Sequence, residues 1–365
     1  MINLIFFLPN FGYGGAGNSV FRLCKSLNKK KYKINIISIG KCSYKKEFKN
    51  FGVKVYEIRT KKISKSFFEL NSLVKKIISK KFLKNIFISG IHYANIASII
   101  SLRSIKNLKI IVVERTDIQE LKISYNFKGF IKNKLIFFLL KFLYKKADLV
   151  IANSLKARND LKKICNIKVE KITPPSFLRY EKIKKNKKRN KTLNIITVGR
   201  LSKEKDIYTM IKAINEIKEK NLILRILGEG DEKENIKSYI KKYKLQKKIF
   251  LLGLRKNPKK FYLMSDLFIN ASHFEGFPNA VVEAINYNLP VICSDTSGGI
   301  REITLHGRGG DLYQIADYKS LAKKIIRFYQ NPKNLIKKLN LARKNIKNFS
   351  INKNVKNYDS IFKKI

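Results

Sequence analysis

The chain has 365 residues, of which 44% are hydrophobic; that is long for one core, enough for two, and it excludes wholesale disorder. Its 79 Lys and Arg against 26 Asp and Glu give a formal net charge of +53, a balance that favours anionic partners: nucleic acid, phosphorylated substrate or acidic lipid. The four cysteines, Cys24, Cys42, Cys165 and Cys293, stand far apart with no C-x-x-C, which argues against a disulfide framework or structural zinc and fits a reducing, cytoplasmic compartment.

The opening run Met1–Pro9 reads as a buried strand, because it lacks the basic start and small-residue cleavage site of a signal peptide. Further strands are expected at Asn35–Ile39, Asn85–Ile88, Lys109–Val113 and Leu149–Ala152, with helices between them at Val20–Leu27, Phe67–Ile78 and Lys134–Tyr144. No run reaches the ~18 uninterrupted apolar residues of a membrane span. The helix around Leu135–Leu143 carries apolar residues on nearly every face, so it is expected in the core, although Ile131–Lys146, with lysines at both ends, could instead lie in a membrane interface. Pro174-Pro175 and the lysine-rich run after them read as a linker over 173–191. The alternation then restarts: strands at Leu193–Val198, Leu222–Leu227, Ile249–Leu252, Leu267–Asn270 and Pro290–Cys293, and helices at Ile207–Ile217 and from Glu234. Alternating strands and helices predict an α/β protein with parallel sheets. The expected boundaries are 1–172, the linker, 192–340, and a basic helical tail, 341–365, that packs back toward the first domain. Residues 1–173 hold 37 basic and 9 acidic side chains, so acids are sparser there and this half is the better candidate for an anionic surface. An AT-rich coding sequence would also enrich lysine.

Four loops fall at strand-to-helix junctions, where open α/β sheets bind ligands. In Asn10–Asn18, glycines including Gly14 and Gly15 let backbone N–H groups at a helix start approach an oxyanion, although a plain tight turn would use the same residues. In Gly199–Asp206, Arg200 can fork two oxygens of a diphosphate and Lys205 adds a point charge. Gly228-Glu229-Gly230-Asp231 permits close backbone approach. In Glu275-Gly276-Phe277-Pro278-Asn279-Ala280-Val281-Val282-Glu283, Pro278 suits a first helical turn, so Glu275 lies in the loop and Glu283 about a turn into the helix.

Together these loops resemble glycosyltransferase family four, of the GT-B fold. Gly199–Lys205 matches its G-R-L-x-x-x-K signature, and Glu275 and Glu283 take the two acidic positions of its E-x7-E motif. Phe250–Leu254 is similar to the family's strand beside the nucleobase, placing Gly253 and Leu254 there, and Ser297–Ile303 to its later phosphate-side loop. The likeness spans the chain and is stronger after Leu193. It implies two Rossmann-like domains, each with a parallel sheet, facing a central cleft. The C-terminal domain would hold a nucleotide-sugar donor, with UDP the commonest base. Arg200 and Lys205 would neutralise the leaving diphosphate, Glu275 would contact the sugar, Glu283 the ribose, and Gly228, Gly276, Phe277, Pro278 and Asn279 would line the donor site. Transfer would retain anomeric configuration. No D-x-D occurs, so neither a metal nor another cofactor is expected.

The first half departs from the commoner pattern. Where many relatives place a histidine, this chain reads Val113-Glu114-Arg115-Thr116-Asp117, closer to the E-R-N-D variant of bacterial relatives that extend lipid-linked oligosaccharides. Arg115 or Glu114 would then touch sugar or acceptor, and His92, after a strand, is a candidate for the cleft wall although a lone histidine there is more often structural. His273 stays unassigned, and His306 is expected in a surface turn. The acceptor implied is a glycan or a polyprenyl-diphosphate-linked glycan, with peripheral contact to an anionic membrane. Two other classes compete: another GT-B enzyme such as a sugar-nucleotide epimerase or a phosphorylase, and a nucleic-acid-binding protein. The last has only charge in its favour, with no recognition helix, aromatic stripe or zinc spacing, so no nucleic-acid partner is expected.

Overall fold

The computed structural model describes residues 1–58, 60, 67–124, 127–183, 192–217 and 221–365, so most of the lysine-rich run read as linker lies outside the described residues. The chain divides into two compact units, Met1–Pro175 with Ile351–Ile365, and Ser176–Ser350.

In the first unit the order along the chain is β1 (Ile2–Leu8), α1 (Gly15–Ser26), β2 (Tyr32–Ile39), α2 (Lys45–Asn50), β3 (Lys54–Ile58), α3 (Phe67–Ile77), β4 (Lys84–Gly90), α4 (His92–Leu102), β5 (Leu108–Glu114), α5 (Phe127–Leu143), β6 (Leu149–Ala152), α6 (Leu155–Cys165) and β7 (Glu170–Lys171). The strands pair in parallel, in the order β3-β2-β1-β4-β5-β6-β7. Every residue of β1 is buried, as a central parallel strand covered on both faces requires. Buried polar groups fix the register: Asn35 Nδ2 donates to Asn3 Oδ1 (2.8 Å), and Asn3 Nδ2 to Asn85 Oδ1 (2.9 Å). A one-residue slip would strand all three amides in the core.

The second unit runs β8 (Leu193–Val198), α7 (Ile207–Glu216), β9 (Leu222–Leu227), α8 (Lys233–Lys242), β10 (Ile249–Leu251), α9 (Lys259–Leu263), β11 (Leu267–Asn270), α10 (Asn279–Asn286), β12 (Val291–Ser294), α11 (Gly299–Ile303), β13 (Asp311–Tyr313), α12 (Tyr318–Gln330) and α13 (Lys333–Asn345). Its parallel order is β10-β9-β8-β11-β12-β13. Both units are therefore Rossmann-like. Their strand orders reverse at β1/β4 and at β8/β11, so the loops after those strands open side by side at the carboxyl ends of each sheet.

Two segments define the limits of the units. Ser176–Ile183 packs on the second unit: Ser176 Oγ donates to Asn279 Oδ1 (2.7 Å) and the Glu181 N–H to Asn286 Oδ1 (3.1 Å). The last helix, α14 (Ile351–Lys364), belongs to the first unit, where Phe362 packs edge-on against Tyr32 and Tyr32 donates to Asp359 (2.6 Å).

The core reading of α5 is overturned. Only Ile136 and Leu140 on this helix are buried, while Phe127, Phe130, Ile131, Leu135, Phe138 and Phe142 are exposed. An apolar residue on every face satisfies the buried side, and the remainder stands in solvent.

Candidate functional site

In the first unit the candidates gather at the ends of β1, β4 and β5. Gly14 precedes α1, with open space where a Cβ would project; Gly14 and Gly15 are exposed at the start of that helix. Gly17 is fixed sterically, since a Cβ there would lie 2.3 Å from the Gly12 carbonyl oxygen. Beside them Arg115 leaves β5 and lies over Gly90, where a Cβ would stand 2.6 Å from its Nε. That Nε is buried and has no hydrogen-bond partner among the described residues.

Glu114 is occupied quite differently. It is 1% exposed, and its Oε1 accepts from the N–H of Arg115 (3.1 Å), the N–H of Thr116 (3.3 Å) and Thr116 Oγ1 (2.9 Å). Its Oε2 accepts from the Tyr144 hydroxyl (2.7 Å), which in turn accepts from Asn95 Nδ2 (3.0 Å). Thr116 Oγ1 spends its single proton on Glu114, so the 3.2 Å contact from His92 Nδ1 runs with the imidazole as donor. His92 Nδ1 lies 3.8 Å from Glu114 Oε1 and the residue is 4% exposed. Burial pushes the Glu114 carboxyl up, but His92, Tyr144 and Thr116 outweigh it and hold it below the usual carboxylate range. Burial pulls His92 down, and Glu114 more than restores it, leaving the imidazole above its ordinary value. This is a buried, paired cluster at the root of the loop. Glu114 and His92 position the turn, and Arg115 carries the unmatched polar atom.

In the second unit the loops after β8, β9 and β11 interlock. The Gly199 N–H donates to the Leu227 oxygen (3.0 Å) and the Leu201 N–H to the Glu229 oxygen (2.9 Å). A Cβ at Gly228 would lie 1.7 Å from the Gly199 oxygen, and at Gly230 2.2 Å from the Leu201 oxygen, so these glycines are needed for the loops to meet. Gly298 is needed likewise, its Cβ position being 2.1 Å from the Glu275 oxygen.

At the centre Lys205 Nζ donates to Glu275 Oε1 (2.6 Å). The same oxygen accepts from Ser272 Oγ (2.7 Å) and Asn270 Nδ2 (3.2 Å). Residues 70 apart in sequence are thus joined by a contact that the carboxylate's other donors orient. Arg200 is 70% exposed, its Nη2 donating to Glu204 Oε1 (2.7 Å). Glu283 on α10 accepts from the Tyr262 hydroxyl (3.2 Å). Gly276, Phe277 and Pro278 are buried at the turn into α10, with Phe277 edge-on to Phe349, and Asn279 holds Ser176. Gly253 hydrogen-bonds through its oxygen to the Gly228 N–H (3.0 Å), and next to it Leu254 is half exposed. His306 stands exposed in the turn before Gly307.

Sequence reasoning missed a second bridge between the same two loops. Asp206 adopts a left-handed conformation (φ 43°) and caps α7 by accepting from the Thr209 N–H (3.2 Å). Its Oδ2 also accepts from Thr209 Oγ1 (2.6 Å) and meets His273 Nε2 at 3.0 Å, while the His273 N–H donates to the Glu204 oxygen (2.8 Å). The signal available was position: Asp206 directly follows Lys205 and His273 precedes Glu275 by two. The Asp206 bond lifts the His273 imidazole above its ordinary value. A raised value means that the pair's attraction is complete below about pH 6.5 and fades as pH rises through the folded value. Titrating the His273 ring by NMR should show this raised midpoint, and Asp206→Asn should lower it. An unchanged midpoint in that variant would contradict the pairing.

Comparisons with known proteins follow the division into units. The family model described as Glycosyltransferase Family 4 matches residues 13–174, and that described as Glycosyl transferases group 1 matches residues 179–349. An uncharacterised glycosyltransferase of Methanocaldococcus jannaschii is 33% identical over 192 residues, covering 49% of this chain and 47% of the relative. The N-acetylgalactosamine-N,N'-diacetylbacillosaminyl-diphospho-undecaprenol 4-alpha-N-acetylgalactosaminyltransferase of Campylobacter jejuni is 33% identical over 192 residues, 50% of this chain and 51% of that protein. The chain thus spans about half the length of these relatives. Among solved structures, Anabaena HepE in complex with UDP and glucose superposes with a TM-score of 0.80 at 15% identity, covering 100% of both chains.

Proposed function

The chain belongs to glycosyltransferase family four, and from that premise we propose that it moves a hexose or N-acetylhexosamine from a nucleotide-diphosphate sugar, with retention, to a glycan or lipid-linked acceptor in cell-surface polysaccharide synthesis. The observation that carries this reading is the meeting of Lys205 with Glu275 at the carboxyl ends of β8 and β11, with Arg200 at the same loop's mouth. Lys205 and Arg200 take the diphosphate, exchanging their glutamate partners for phosphate oxygens. Glu275 turns to the sugar, Glu283 to the ribose, and Gly253 and Leu254 border the base. UDP is the proposed nucleotide, in keeping with the UDP bound by HepE.

In the transfer, the bond from the anomeric carbon to the diphosphate oxygen breaks and a bond to the acceptor oxygen forms on the same face. The acceptor's proton passes to the departing diphosphate. No side-chain base is required, so the protein contributes position and charge at the leaving group. In the first unit, the backbone N–H groups at Gly14 and Gly15, and Arg115, held by the His92–Glu114 cluster, receive the sugar or the acceptor. A cytoplasmic location in peripheral contact with the inner face of an anionic membrane is part of this proposal, supported by the lipid-linked acceptor in the name of the Campylobacter jejuni relative.

Because Arg200 and Lys205 supply the positive charge and the sequence holds no D-x-D, EDTA is expected to leave activity largely intact. Complete loss on chelation, restored by manganese, would place the diphosphate on a metal and overturn this donor site.

A further inference from the structure

The exposed apolar residues of α5 are not scattered. Phe127, Phe130, Ile131, Leu135, Phe138 and Phe142 recur at three- and four-residue spacings, so they form one stripe, opposite the buried Ile136 and Leu140. The inward face is fully used: Ile136 and Leu140 join the core that contains Leu102 and Leu161, and Phe137, Leu139 and Leu143 pack against it. Among the described residues the outward face has no such partner in its own unit. Phe138 and Phe142 touch each other at 4.7 Å between ring centres, and Lys134 Nζ lies over the Phe130 ring at 4.4 Å.

Charge flanks the stripe on both sides. Lys134 and Lys141 fall along one edge by helical phase, and Lys128 and Lys132 along the other, while Lys145 and Lys146 follow the last turn. From Phe127 to Lys146 there is no Asp or Glu. A contiguous apolar stripe on a soluble face signals an interaction surface, and lysines bordering it set what that surface meets. A second copy of this chain would bring lysine edges against lysine edges, which opposes self-association. A nucleic-acid backbone matches the lysines and leaves the phenylalanines in water. An anionic bilayer matches both, since aromatic and aliphatic side chains sink into the headgroup boundary while lysines reach up to phosphates.

We propose that α5 is the membrane-docking element of this protein, lying in the plane of an anionic lipid surface with its Phe130–Leu135–Phe138 face inserted. The proposal deepens the peripheral membrane contact in the reading above, by assigning it to one helix instead of to the charge of the whole domain. It concerns lipid binding alone, so it can fail while sugar transfer stands, and transfer can fail while it stands.

The test is co-sedimentation of the intact protein, with no nucleotide sugar present, with vesicles of phosphatidylcholine alone or mixed with phosphatidylglycerol. Wild type should partition onto the mixed vesicles and release as salt rises. The triple variant Phe130→Ser, Leu135→Ser, Phe138→Ser changes only exposed side chains, and its thermal melt should match wild type. It should bind at least about tenfold more weakly. Lys128→Gln with Lys132→Gln should weaken binding by about fivefold per lysine. Lys162→Gln with Lys163→Gln, on the exposed side of α6, should change it little. Binding by the triple variant equal to wild type would overturn the proposal, as would equal binding to both vesicle types. A wild-type dimer that the triple substitution splits, with vesicle binding unchanged, would assign the face to a second copy.

Discussion

Lys205→Ala is expected to lower sugar transfer by about 10²–10³-fold, with Arg200→Ala similarly costly. Each side chain offers positive charge where a diphosphate departs, and that charge is worth most as the leaving group's own charge develops. The two variants differ in what they leave behind. Arg200 is 70% exposed, so among the described residues its removal disturbs only Glu204. Lys205 is the cation on a Glu275 side chain that is 11% exposed, so its loss strands a carboxylate that Ser272 and Asn270 only partly satisfy. Arg200→Ala is therefore the cleaner kinetic test, and Lys205→Ala needs its melting curve beside it. Steady-state rates with the preferred donor decide the matter. Near-normal turnover in both variants would remove the diphosphate clamp from the mechanism.

Glu114→Ala is expected to destabilise the first unit by about 3–5 kcal/mol, the cost of breaking a buried charge network by removing one partner. It would leave the Tyr144 and Thr116 hydroxyl protons without their acceptor and remove the negative charge beside His92. Denaturant unfolding of the intact chain should show the transition of this unit moving while that of the second stays. The same cluster predicts a pH window. The Glu114 carboxyl is held low, so its contribution is complete above about pH 4.3 and is lost as pH falls through its folded value. His92 is held high, so its contribution is complete below about pH 6.5 and is lost as pH rises through its folded value. The pair thus stabilises most between those limits, and Glu114→Gln should flatten the dependence. A wild-type unit whose stability is unchanged from pH 5 to pH 8 would contradict the pairing.

What could be read from sequence was whatever carries a local period or a steric demand. Buried runs such as Leu4–Leu8 and Leu193–Val198 had to be interior strands, and both are. The strand Lys54–Ile58 was overlooked because its burial is partial and its composition mixed, a common state for a sheet edge. Arg200, Lys205, Glu275 and Glu283 were legible from spacing, but the fact that Lys205 and Glu275 hold each other was not, because the contact spans 70 residues and depends on how two loops close. Gly228 is legible as a donor-site candidate; that it and Gly230 also have a steric task between loops is not, because the contacting carbonyls lie on another loop. Tyr144 gave no local sign of its partnership with Glu114, lying 30 residues away between Leu143 and Lys145. The misreading of α5 has a plain cause. A helix apolar all round has one face to bury and one left over, and sequence alone does not say whether protein or lipid covers the second.

The most direct measurement is a donor panel. The intact protein would be mixed with uridine, guanosine and adenosine diphosphate sugars, each labelled in the sugar, and with a polyprenyl-diphosphate-linked glycan. One donor should raise the melting temperature, and its label should appear in the glycan, one nucleoside diphosphate released per sugar moved, with the anomeric configuration of the donor preserved. Arg200→Ala should lower that transfer by about 10²–10³-fold. Release of a free epimer, dependence on inorganic phosphate, or no donor consumed while the protein remains folded would contradict a nucleotide-sugar transferase.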